Sequence, residues 1–581
     1  ATLVLAALPL AGVAAATSDQ QAAMAAAQPQ AGCTYFQETQ HNLCAGFLAY
    51  WQKYGGLAVY GFPLTEEFQE QNPDTGKTYT VQYFERARFE WHPGEAPARY
   101  DVLLGRIGYW YASSHDLLGT TPFQKVSGCD AASTQGLSAA FLGSGTQCWF
   151  FGATGHTLSG AFGEYWNANG GLAVFGYPLS EPFQENGLTV QYFERARFEW
   201  HPEFAGTSSA VELGLLGDRT LMGPEVSVVT SGLDNPRHLM SQYDANSGTT
   251  TLYVAVAGKA GPNCVGPADK QVCVGNSGSI LKVVNGSAST LVPNLPSEAS
   301  PDGITGTNDV SSKTAGTFYY VIGGPTTKDI HDMLGDLAAP LGTLYKYDTA
   351  TGQSTAVADI AGYEYANNPD KGAGTPDEPA LDTNAYAVYD AGSFRLVADA
   401  GGNDLLKVDA NGTISVVAVF PTVPMDAPPF LNLPPGTMLP AQAVPTSIAV
   451  GPDGNYYVGL LTGFPFQMGK ASVYKITPGG QMSVYATGFT NITALAFDSL
   501  GHLFVGEIVH TGILSLGQGQ PTAAAAAANP GAIYRVNMDG SKTLIANVPA
   551  LGGIAFGPDS TLYATTYAAM VGAGEVVKID Y

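Results

Sequence analysis

The stretch that decides the fold is residues 445–489, PTSIAVGPDGNYYVGLLTGFPFQMGKASVYKITPGGQMSVYATGF. Short runs rich in β-branched and aromatic residues alternate with turn-forming clusters, first Gly-Pro-Asp-Gly and later Pro-Gly-Gly. Gly, Pro and Asp favour tight turns because they supply positive φ, a fixed φ or local side-chain hydrogen bonds. The stretch therefore predicts four strands joined by a turn, a longer loop and a second turn.

The same four-strand pattern recurs along the C-terminal two thirds of the chain. It is clear in residues 492–548 and 385–420 and looser in residues 316–348 and 252–284, and a last copy begins at Gly552. Six four-strand units of roughly 45–60 residues each are the sequence signature of a β-propeller, in which every unit forms one blade around a central channel. We therefore predict a mainly β fold with a six-bladed propeller over residues 224–581.

One detail of the pattern predicts how the ring closes. The last unit ends after three strands, and the strand-like run VSVVTSG at 226–232 precedes the first unit with no partner of its own. If this run pairs with the last unit as its fourth strand, the ring closes and no open sheet edge remains.

The N-terminal third carries a different repeat. The thirteen residues VQYFERARFEWHP occur at 81–93 and again at 190–202. The match extends back to Cys33 and Cys148, at an offset of 115 that falls to 109 after a six-residue insertion around QNPDTG in the first copy. This tandem duplication predicts two small modules of related structure.

Local patterns predict the secondary structure of each copy. Aromatic residues recur at helical spacing before Gly55-Gly56 and Gly170-Gly171, and a glycine pair favours the end of a helix. The strict alternation in TVQYFERARFEW predicts a single strand with two distinct faces. We predict α+β modules at 33–113 and 148–221 with a linker at 114–147 between them.

Composition limits the classes of function. The formal net charge is −24 and only 13% of the residues are charged, so we expect neither nucleic acid nor anionic membrane as a partner. Residues 1–16, ATLVLAALPLAGVAAA, are typical of the apolar part and cleavage site of a signal peptide. Its basic start is not in the sequence, so we expect a partial signal peptide, with a low-complexity linker at 17–32, and no membrane span once it is cleaved. The alternative, a membrane span, is disfavoured by the short length of the run.

The cysteines support export. Their even number and spacing predict three local disulfides in an oxidising compartment. Cys148 aligns with Cys33, but Ser159 stands where the first copy has Cys44, so we expect Cys148 to pair with Cys129, its nearest neighbour in sequence. A zinc site is the competing interpretation, and the absence of a Cys-x-x-Cys motif disfavours it. The predicted pairs are Cys33 with Cys44, Cys129 with Cys148, and Cys264 with Cys273.

Two family resemblances rest on particular motifs. The propeller segments GLDNPRHL, YVAVAGKAGPNC, DAGGNDLLKVDANGTISVVAVFP and GFTNITALAFDSLGHLFV resemble the ScyD/ScyE family of exported bacterial propellers, which implies a six-bladed fold related to NHL and SMP-30-like propellers. GGLAVYGFPLTEEF and GGLAVFGYPLSEPF, each followed by VQYFERARFEWHP, resemble the LGFP repeat of bacterial envelope proteins, although this chain has Arg-Ala-Arg where that family has a glycine. The second resemblance implies a role at the cell envelope.

The SMP-30-like resemblance also implies a divalent metal in the propeller channel, held by Glu, Asn and Asp. Hard oxygen ligands of this kind suit Ca²⁺. The candidate ligands by position are Asn308, Asp309, Asn384, Asp399, Asn403 and Glu507. The competing interpretation is that these Asn and Asp residues form turns. Arg237 and His238, near the start of the first blade, could face the same channel or pack at a strand edge.

Aromatic residues are the candidate binding groups. Four tryptophans in the repeats could stack on sugar rings, or they could fill the repeat cores, which is the commoner use of aromatics at this spacing. Phe464 and Phe466 fall in a predicted loop at the propeller mouth, as does MDAPPFLNLPPG at 425–436. The run TAAAAAANPG at 522–531 is interpreted as a flexible insertion. The tryptophans are Trp51, Trp91, Trp166 and Trp200.

Three hypotheses of function follow from these patterns. The first is an exported, envelope-associated binding protein, with repeats that engage cell-wall polysaccharide or another surface component and a propeller that presents loops to a ligand or partner protein. The second is a metal-dependent lactonase or hydrolase with its site in the channel. The third is a structural protein of an extracellular matrix. No nucleophile elbow, HExxH or P-loop motif occurs in the sequence, so we assign no catalytic residue.

Overall fold

The computed structural model describes most of the chain as two compact units. Unit one comprises the residues up to Glu225, and unit two runs from Val226 to Asp580. The predicted signal segment at 1–16 lies outside the described residues. Those are 18–115, 117–129, 137–143, 147–185, 188–222, 225–244, 247–267, 270–301, 303–324, 327–371, 381–517, 521–537, 540–557 and 561–580.

Unit one contains short helices and short antiparallel strands. Its helices are α1 Ser18–Met24, α2 Ala45–Tyr54, α3 Gly56–Tyr60, α4 Ile107–Ser114, α5 Ala139–Leu142, α6 Gly160–Ala168, α7 Gly171–Phe175 and α8 Leu216–Met222. Single 3₁₀ turns cover Pro97–Arg99, Leu117–Gly119, Thr121–Phe123 and Pro202–Phe204. Its strands are β1 Thr34–Phe36, β2 His41–Leu43, β3 Phe68–Gln71, β4 Thr78–Phe84, β5 Ala87–Trp91, β6 Val102–Leu104, β7 Cys148–Phe151, β8 His156–Ser159, β9 Phe183–Glu185, β10 Leu188–Tyr192, β11 Arg197–Trp200 and β12 Val211–Leu213.

The two copies fold alike. Each has a four-stranded antiparallel sheet, in the order β3-β4-β5-β6 in the first and β9-β10-β11-β12 in the second, and a two-stranded sheet. The prediction that TVQYFERARFEW forms one strand is wrong, because Phe84 pairs with Ala87 and the segment folds back as a hairpin around Glu85-Arg86. The turn residues Glu85-Arg86 include no Gly, Pro, Asn or Asp, so no turn signal in the sequence separated the two arms of the hairpin.

The first helix of each copy ends at its glycine pair as predicted, α2 at Tyr54 and α6 at Ala168, and a second helix begins within the pair. α7 begins at Gly171 directly after Gly170, whose φ is 106°, and α3 begins at Gly56 in the same way. A positive φ changes the direction of the chain without preventing a new helical turn. Each glycine pair therefore joins two helices at an angle.

The helix that follows each copy packs on the other copy. The amide of Tyr109 in α4 donates to the carbonyl of Glu194 at 3.0 Å, and the amide of Gly217 at the start of α8 donates to the carbonyl of Glu85 at 3.0 Å. A Cβ at Gly108 would lie 2.1 Å from the carbonyl oxygen of Phe193, so only glycine allows this approach. The buried apolar residues of both copies form one continuous cluster instead of two separate cores.

The segments predicted as linkers contribute to this packing. In the 17–32 segment, α1 places buried Ala23 against Phe68 and Tyr83 of the first copy. In the 114–147 segment, α5 places Phe141 in the shared cluster, where it is 1% exposed. These parts of the predicted linkers thus belong to the packed unit.

Unit two is built almost entirely of strands. Its helices are α9 Lys328–Leu334, α10 Ile360–Asn367 and α11 Ala523–Ala528, with 3₁₀ turns at Gly335–Leu337, Pro429–Leu431 and Ile513–Leu516. Its strands are β13 Glu225–Leu233, β14 Pro236–Asp244, β15 Thr249–Val256, β16 Asn263–Val265, β17 Val272–Val284, β18 Ser287–Ser300, β19 Gly303–Thr305, β20 Thr307–Ser311, β21 Thr317–Ile322, β22 Thr343–Asp348, β23 Gln353–Asp359, β24 Ala385–Asp390, β25 Arg395–Asp399, β26 Asp404–Val408, β27 Ile414–Val419, β28 Val423–Asp426, β29 Met438–Ala441, β30 Pro445–Val450, β31 Tyr456–Leu460, β32 Ala471–Ile476, β33 Met482–Phe489, β34 Ile492–Phe497, β35 Leu503–Glu507, β36 Gly531–Val536, β37 Lys542–Val548, β38 Ile554–Phe556, β39 Leu562–Thr566 and β40 Gly574–Asp580.

These strands form a six-bladed β-propeller. The first strands of the six blades, β14, β20, β24, β30, β34 and β38, each contact the next, and β38 contacts β14, so the ring is closed. The last blade has the order β13-β40-β39-β38, which confirms that the 226–232 segment supplies its fourth strand. Apolar side chains fill the space between blades; Val321 and Leu344 of blade two, for example, pack with Val388 and Val397 of blade three.

Two further predictions are settled by the structure. All three predicted disulfides are present, Cys33–Cys44, Cys129–Cys148 and Cys264–Cys273. The TAAAAAANPG run is helical over Ala523–Ala528 instead of an irregular insertion, because the Thr522 hydroxyl caps the helix and Ala526 is buried. In the described part of the chain, no helix is both long and apolar enough to cross a membrane.

Candidate functional site

The propeller concentrates its long connections at one end. Successive strands of a blade run in opposite directions. The link between the second and third strands of each blade and the link to the next blade therefore lie at one end of the propeller, and the two remaining links of each blade lie at the other end. The first set includes the connections 360–384, 421–444, 461–470 and 508–530, whereas the second set consists of tight turns such as Gly451–Asn455. We call the first end the loop face. Loops on a rigid scaffold are the usual place for binding residues.

His238 crosses the central channel. It lies on β14 of blade one, yet its Nδ1 lies 3.3 Å from Asp309 Oδ2 of blade two, and its Nε2 lies 2.7 Å from the carbonyl oxygen of Thr493 of blade five. Its ring also contacts Tyr386 of blade three at 5.5 Å between centroids. Burial opposes the charge of the imidazole, but the Asp309 carboxylate and the Thr493 carbonyl together outweigh burial and raise the pKa of His238. A single buried, charge-paired histidine therefore connects four of the six blades.

The partner of His238 is itself fully engaged. Asp309 accepts hydrogen bonds from the amides of Val310 and Val388, each at 2.8 Å, in addition to its contact with His238. Arg237 does not point into the channel in the same way, because its guanidinium donates to the carbonyls of Ala568 and Ile304. The His238–Asp309 pair thus holds the blades together with no free carboxylate oxygen.

Four of the six predicted metal ligands are neighbours. The amide group of Asn308 donates to Asn384 Oδ1 at 3.4 Å, and the backbone amide of Asn384 donates to Asp399 at 2.6 Å. Asp399 also accepts from the amides of Gly401 and Gly402, both at 3.1 Å, so its oxygens are used by the turn that leads to Asn403.

The six predicted ligands are divided among blades two, three and five. The Asn403 Oδ1 accepts from the Val444 amide at 3.0 Å, so this side chain also fixes the backbone. Asp309 faces His238, and Glu507 lies in blade five. Within the described ranges, no three His, Cys, Asp or Glu side chains are arranged to hold a metal ion. Asp309, Asp399 and Asn403 accept backbone hydrogen bonds, whereas Asn308 Oδ1 has no hydrogen-bond partner among the described residues.

Buried carboxyl groups that the sequence analysis did not single out lie beside Asp399. Glu364, Asp399 and Asp404 are at most 1% exposed, and Asp382 lies nearby; we call these four residues the carboxyl cluster. In the described part of the chain, neither oxygen of Asp404 has a hydrogen-bond partner. No periodic signal marks Glu364, because it approaches Asp399 only through the tertiary packing of α10.

Protons neutralise the carboxyl cluster. Burial, together with the charge of Asp399, raises the pKa of both Glu364 and Asp382 to about 8. Burial, together with the charges of Asp399 and Glu364, holds the pKa of Asp404 well above its usual range. These carboxyl groups are therefore largely protonated in the neutral range, which removes most of the cost of burying them.

The last predicted ligand, Glu507, orients a histidine instead. It is fully buried, accepts from the Thr490 amide at 2.8 Å, and lies 3.0 Å from Nδ1 of His510. The Tyr534 hydroxyl lies 3.1 Å from the same nitrogen. The side chain of His510 is 52% exposed on the loop face. Glu507 therefore fixes the orientation of a surface imidazole.

An exposed apolar patch covers part of the loop face. Phe430, 65% exposed, and Phe464, 42% exposed, have ring centroids 6.1 Å apart, and Phe466 lies 6.4 Å from Phe464. Two hydrogen bonds of 3.0 Å between Asp426 and Gln467 join the two loops that carry these rings. We call the following exposed residues the loop patch: Phe430, Leu431, Leu433, Met438, Phe464, Met468 and Leu514.

The four predicted tryptophans have different environments. Trp51 and Trp166 each donate their indole N–H to a backbone carbonyl, at 3.0 and 3.2 Å, and pack edge-on against a phenylalanine. Trp200 is 5% exposed beneath Phe141, whereas its counterpart Trp91 is 46% exposed. Three of the four thus have packing roles, and Trp91 presents an open indole.

Comparisons with known proteins do not name a family for this chain. No family model matches the chain, and no curated protein matches it. A streptogramin B lyase is 13% identical over 61% of this chain and 97% of its own, with a TM-score of 0.32. A catalytically inactive virginiamycin B lyase from Staphylococcus aureus with quinupristin is 10% identical over 62% and 99% of the two chains, with a TM-score of 0.31.

A luciferin-regenerating enzyme is similar to the same extent. It is 10% identical over 62% of this chain and 96% of its own, with a TM-score of 0.32. At these low TM-scores the likeness says nothing about the chemistry of this chain. The resemblances to the ScyD/ScyE family and to LGFP repeats stay predictions.

Proposed function

We propose that this chain is an exported, envelope-associated binding protein. Its repeats engage cell-wall polysaccharide or another surface glycan, and the loop face of its propeller holds a partner or ligand. Export is supported by three disulfides, which are typical of proteins that fold in oxidising compartments.

The loop patch is the observation that carries this proposal. Monomeric proteins rarely expose a contiguous apolar surface unless it contacts something. Here the rings of Phe430 and Phe464, from two different inter-strand connections, lie 6.1 Å apart, and Phe430 is 65% exposed. Rigid, exposed aromatic side chains are the residues that most often dominate binding energy at interfaces.

Co-sedimentation of the full chain with cell envelopes from the organism that encodes it tests the proposal. The wild-type protein is expected to sediment both with intact envelopes and with wall glycan from which protease has removed protein. The double variant Phe430→Ser with Phe464→Ser is expected to lose binding to intact envelopes at least several-fold and to keep its binding to stripped glycan. Val484→Ser, 51% exposed on a blade edge, is the matched control.

Each outcome bears on a different part of the proposal. Unchanged binding of the double variant to intact envelopes would remove the role of the loop face. A wild-type chain that sediments with neither fraction would overturn the binding function as a whole.

A further inference from the structure

A cleft lies between the two repeats within unit one. It has a volume of ≈ 1050 Å³, at the upper end of the range of ~300–1000 Å³ that is usual for ligand sites. One wall is formed by Tyr165 and Ala168 of α6 and by Asn169, which follows the helix, and the other includes Leu57 and Arg86 of the first repeat. We call it the second-repeat cleft.

The duplication provides an internal comparison, because the first repeat has the equivalent position. There the space measures only ≈ 170 Å³ and is lined by Tyr50, Leu104 and Arg195, which correspond to Tyr165, Leu213 and Arg86. The two spaces are thus related by the pseudo-symmetry of unit one, and they differ about sixfold in volume.

Four substitutions at one rim distinguish the two repeats. In the first repeat, Lys53, Arg99 and Tyr100 gather around Tyr54: Lys53 Nζ lies over the rings of Tyr54 and Tyr100 at 5.4 and 5.6 Å, and the Arg99 guanidinium lies over Tyr54 at 5.3 Å. The second repeat replaces all four with small residues. In the order Lys53, Tyr54, Arg99 and Tyr100, the counterparts are Ala168, Asn169, Ser208 and Ser209.

A fifth substitution changes the ring beside the cleft tyrosine. In the first repeat the rings of Tyr50 and Tyr60 lie 5.9 Å apart, and Phe175 stands in place of Tyr60 in the second repeat. Tyr165, the counterpart of Tyr50, lines the cleft, so its hydroxyl can meet a ligand. Tyr165 keeps its packing, with its ring 5.2 Å from that of Phe198.

The lining indicates the class of ligand. Hydroxyl and amide groups of Tyr165, Asn169, Ser208 and Ser209 surround the space, with Trp200 at its inner side, and sugars are recognised by such a combination of hydrogen bonds and aromatic surface. Acidic lining residues outnumber basic ones, because Glu85, Glu164 and Glu212 are accompanied only by Arg86, whose Nη1 lies 3.6 Å from Glu85. This excess of negative charge disfavours an anionic ligand.

We propose that the second-repeat cleft binds a neutral oligosaccharide, an inference that rests on the glycan-binding role proposed above for the repeats. In the first repeat the space equivalent to the cleft is too small for such a ligand, and this repeat has a structural role. The duplication has thus produced one binding repeat and one non-binding repeat.

Titration of the full chain with neutral tetrasaccharides of glucose, mannose and N-acetylglucosamine tests the proposal, with an oligogalacturonate as the acidic control. Calorimetry measures affinity, and tryptophan emission reports on the cleft through Trp200. The double variant Ala168→Lys with Ser209→Tyr restores two closing residues of the first repeat, and we expect at least tenfold weaker binding. Both positions are exposed, so the variant is expected to fold.

Two further variants separate a binding role from a structural one. Tyr165→Phe removes only the hydroxyl and is expected to weaken binding about five- to tenfold without changing the unfolding midpoint. Lys53→Ala, the matched control in the first repeat, is expected to bind as wild type does.

The outcomes distinguish this inference from the function on which it rests. The wild-type chain and the double variant Ala168→Lys with Ser209→Tyr could sediment equally with stripped wall glycan. In that case the glycan-binding role stands and the cleft is not the site. Preferential binding of the acidic oligosaccharide, or of none of the neutral ones, would overturn the ligand class. If the wild-type chain binds no glycan in any form, both proposals fail together.

Discussion

Arg86 Nε donates a hydrogen bond of 3.0 Å to the carbonyl oxygen of Leu213, which joins the hairpin turn of the first repeat to the last strand of the second. Arg195 repeats the contact in the opposite direction, with 3.1 Å to the carbonyl oxygen of Leu104. Together with the exchanged helices α4 and α8, these two arginines make the repeats a single folding unit. The Arg-Ala-Arg sequence at each turn is therefore part of the interface between the copies.

Loss of either interface arginine should destabilise unit one. We expect Arg195→Ala to lower the free energy of unfolding by about 1–3 kcal/mol, because a buried carbonyl loses a charged donor. Urea unfolding followed by tryptophan emission measures this selectively, since all six tryptophans precede residue 225. Lys53→Ala, an exposed cation of the same unit, is the control. An unchanged urea midpoint for Arg195→Ala would show that the helices alone hold the copies together.

The carboxyl cluster should make the propeller less stable as the pH rises. Glu364 and Asp382 have pKa values of about 8 in the folded protein, well above those of free carboxyl groups, so the folded state holds protons that the unfolded chain has lost. Stability is then greatest near the ordinary carboxyl pKa and falls as the pH rises to about 8. Thermal melts followed by far-UV circular dichroism between pH 5 and 8 measure this trend.

Glu364→Gln tests the cause of that trend. Glutamine keeps the shape but cannot ionise, so we expect the variant to melt about 2–4 °C above wild type at pH 8 and near it at pH 5. Asp348→Asn, at the partly exposed end of β22, is the control for a general charge effect. A Glu364→Gln variant that follows the wild-type pH dependence would rule out the cluster as its source.

Removal of the channel histidine should weaken the closed ring. His238→Ala loses its contacts with blades two, three and five and leaves a cavity, and we expect a loss of about 2–4 kcal/mol. Because the pKa of His238 is raised by folding, the stabilisation is full below its ordinary value of 6.5 and is lost as the pH rises through the folded value. Guanidinium unfolding at pH 6 and 9 measures both effects, with His331→Ala as the control. Equal losses at the two pH values would show that packing, and not charge, is what His238 contributes.

Calcium titration tests the alternative function of a metal-dependent hydrolase. Because the oxygens of Asp309 and Asp399 are bound to backbone amides, we expect no saturable heat with Ca²⁺ at neutral pH and no shift in melting temperature. Calorimetry of the full chain and a melt with excess Ca²⁺ measure these two quantities. Stoichiometric binding with release of protons would instead assign a cation to the carboxyl cluster, and lactones and esters would then be the substrates to test.

Much of the fold was predictable because it depends on local signals. The turn clusters of the 445–489 stretch and their repetition predicted every blade, and the unpaired VSVVTSG run predicted the closing strand, since a propeller leaves no edge unpaired. The disulfides followed from spacing and from the duplication. The hairpin at Glu85-Arg86 was missed, because its turn contains none of the residues that usually mark a tight turn.

The sequence by itself determined the blade count, the duplication and the cysteine pairs, because each of these is set by neighbours along the chain. Only the tertiary structure decided which residues meet. His238 reaches blade five, and Glu364 lies beside Asp399. Four residues that are small in the second repeat line a cleft there. Such contacts depend on positions far apart in sequence, and the period of a strand or helix carries no information about them. For the same reason, the tryptophans could be recognised as aromatic residues of a repeat, but only packing decided that Trp200 is buried and Trp91 exposed.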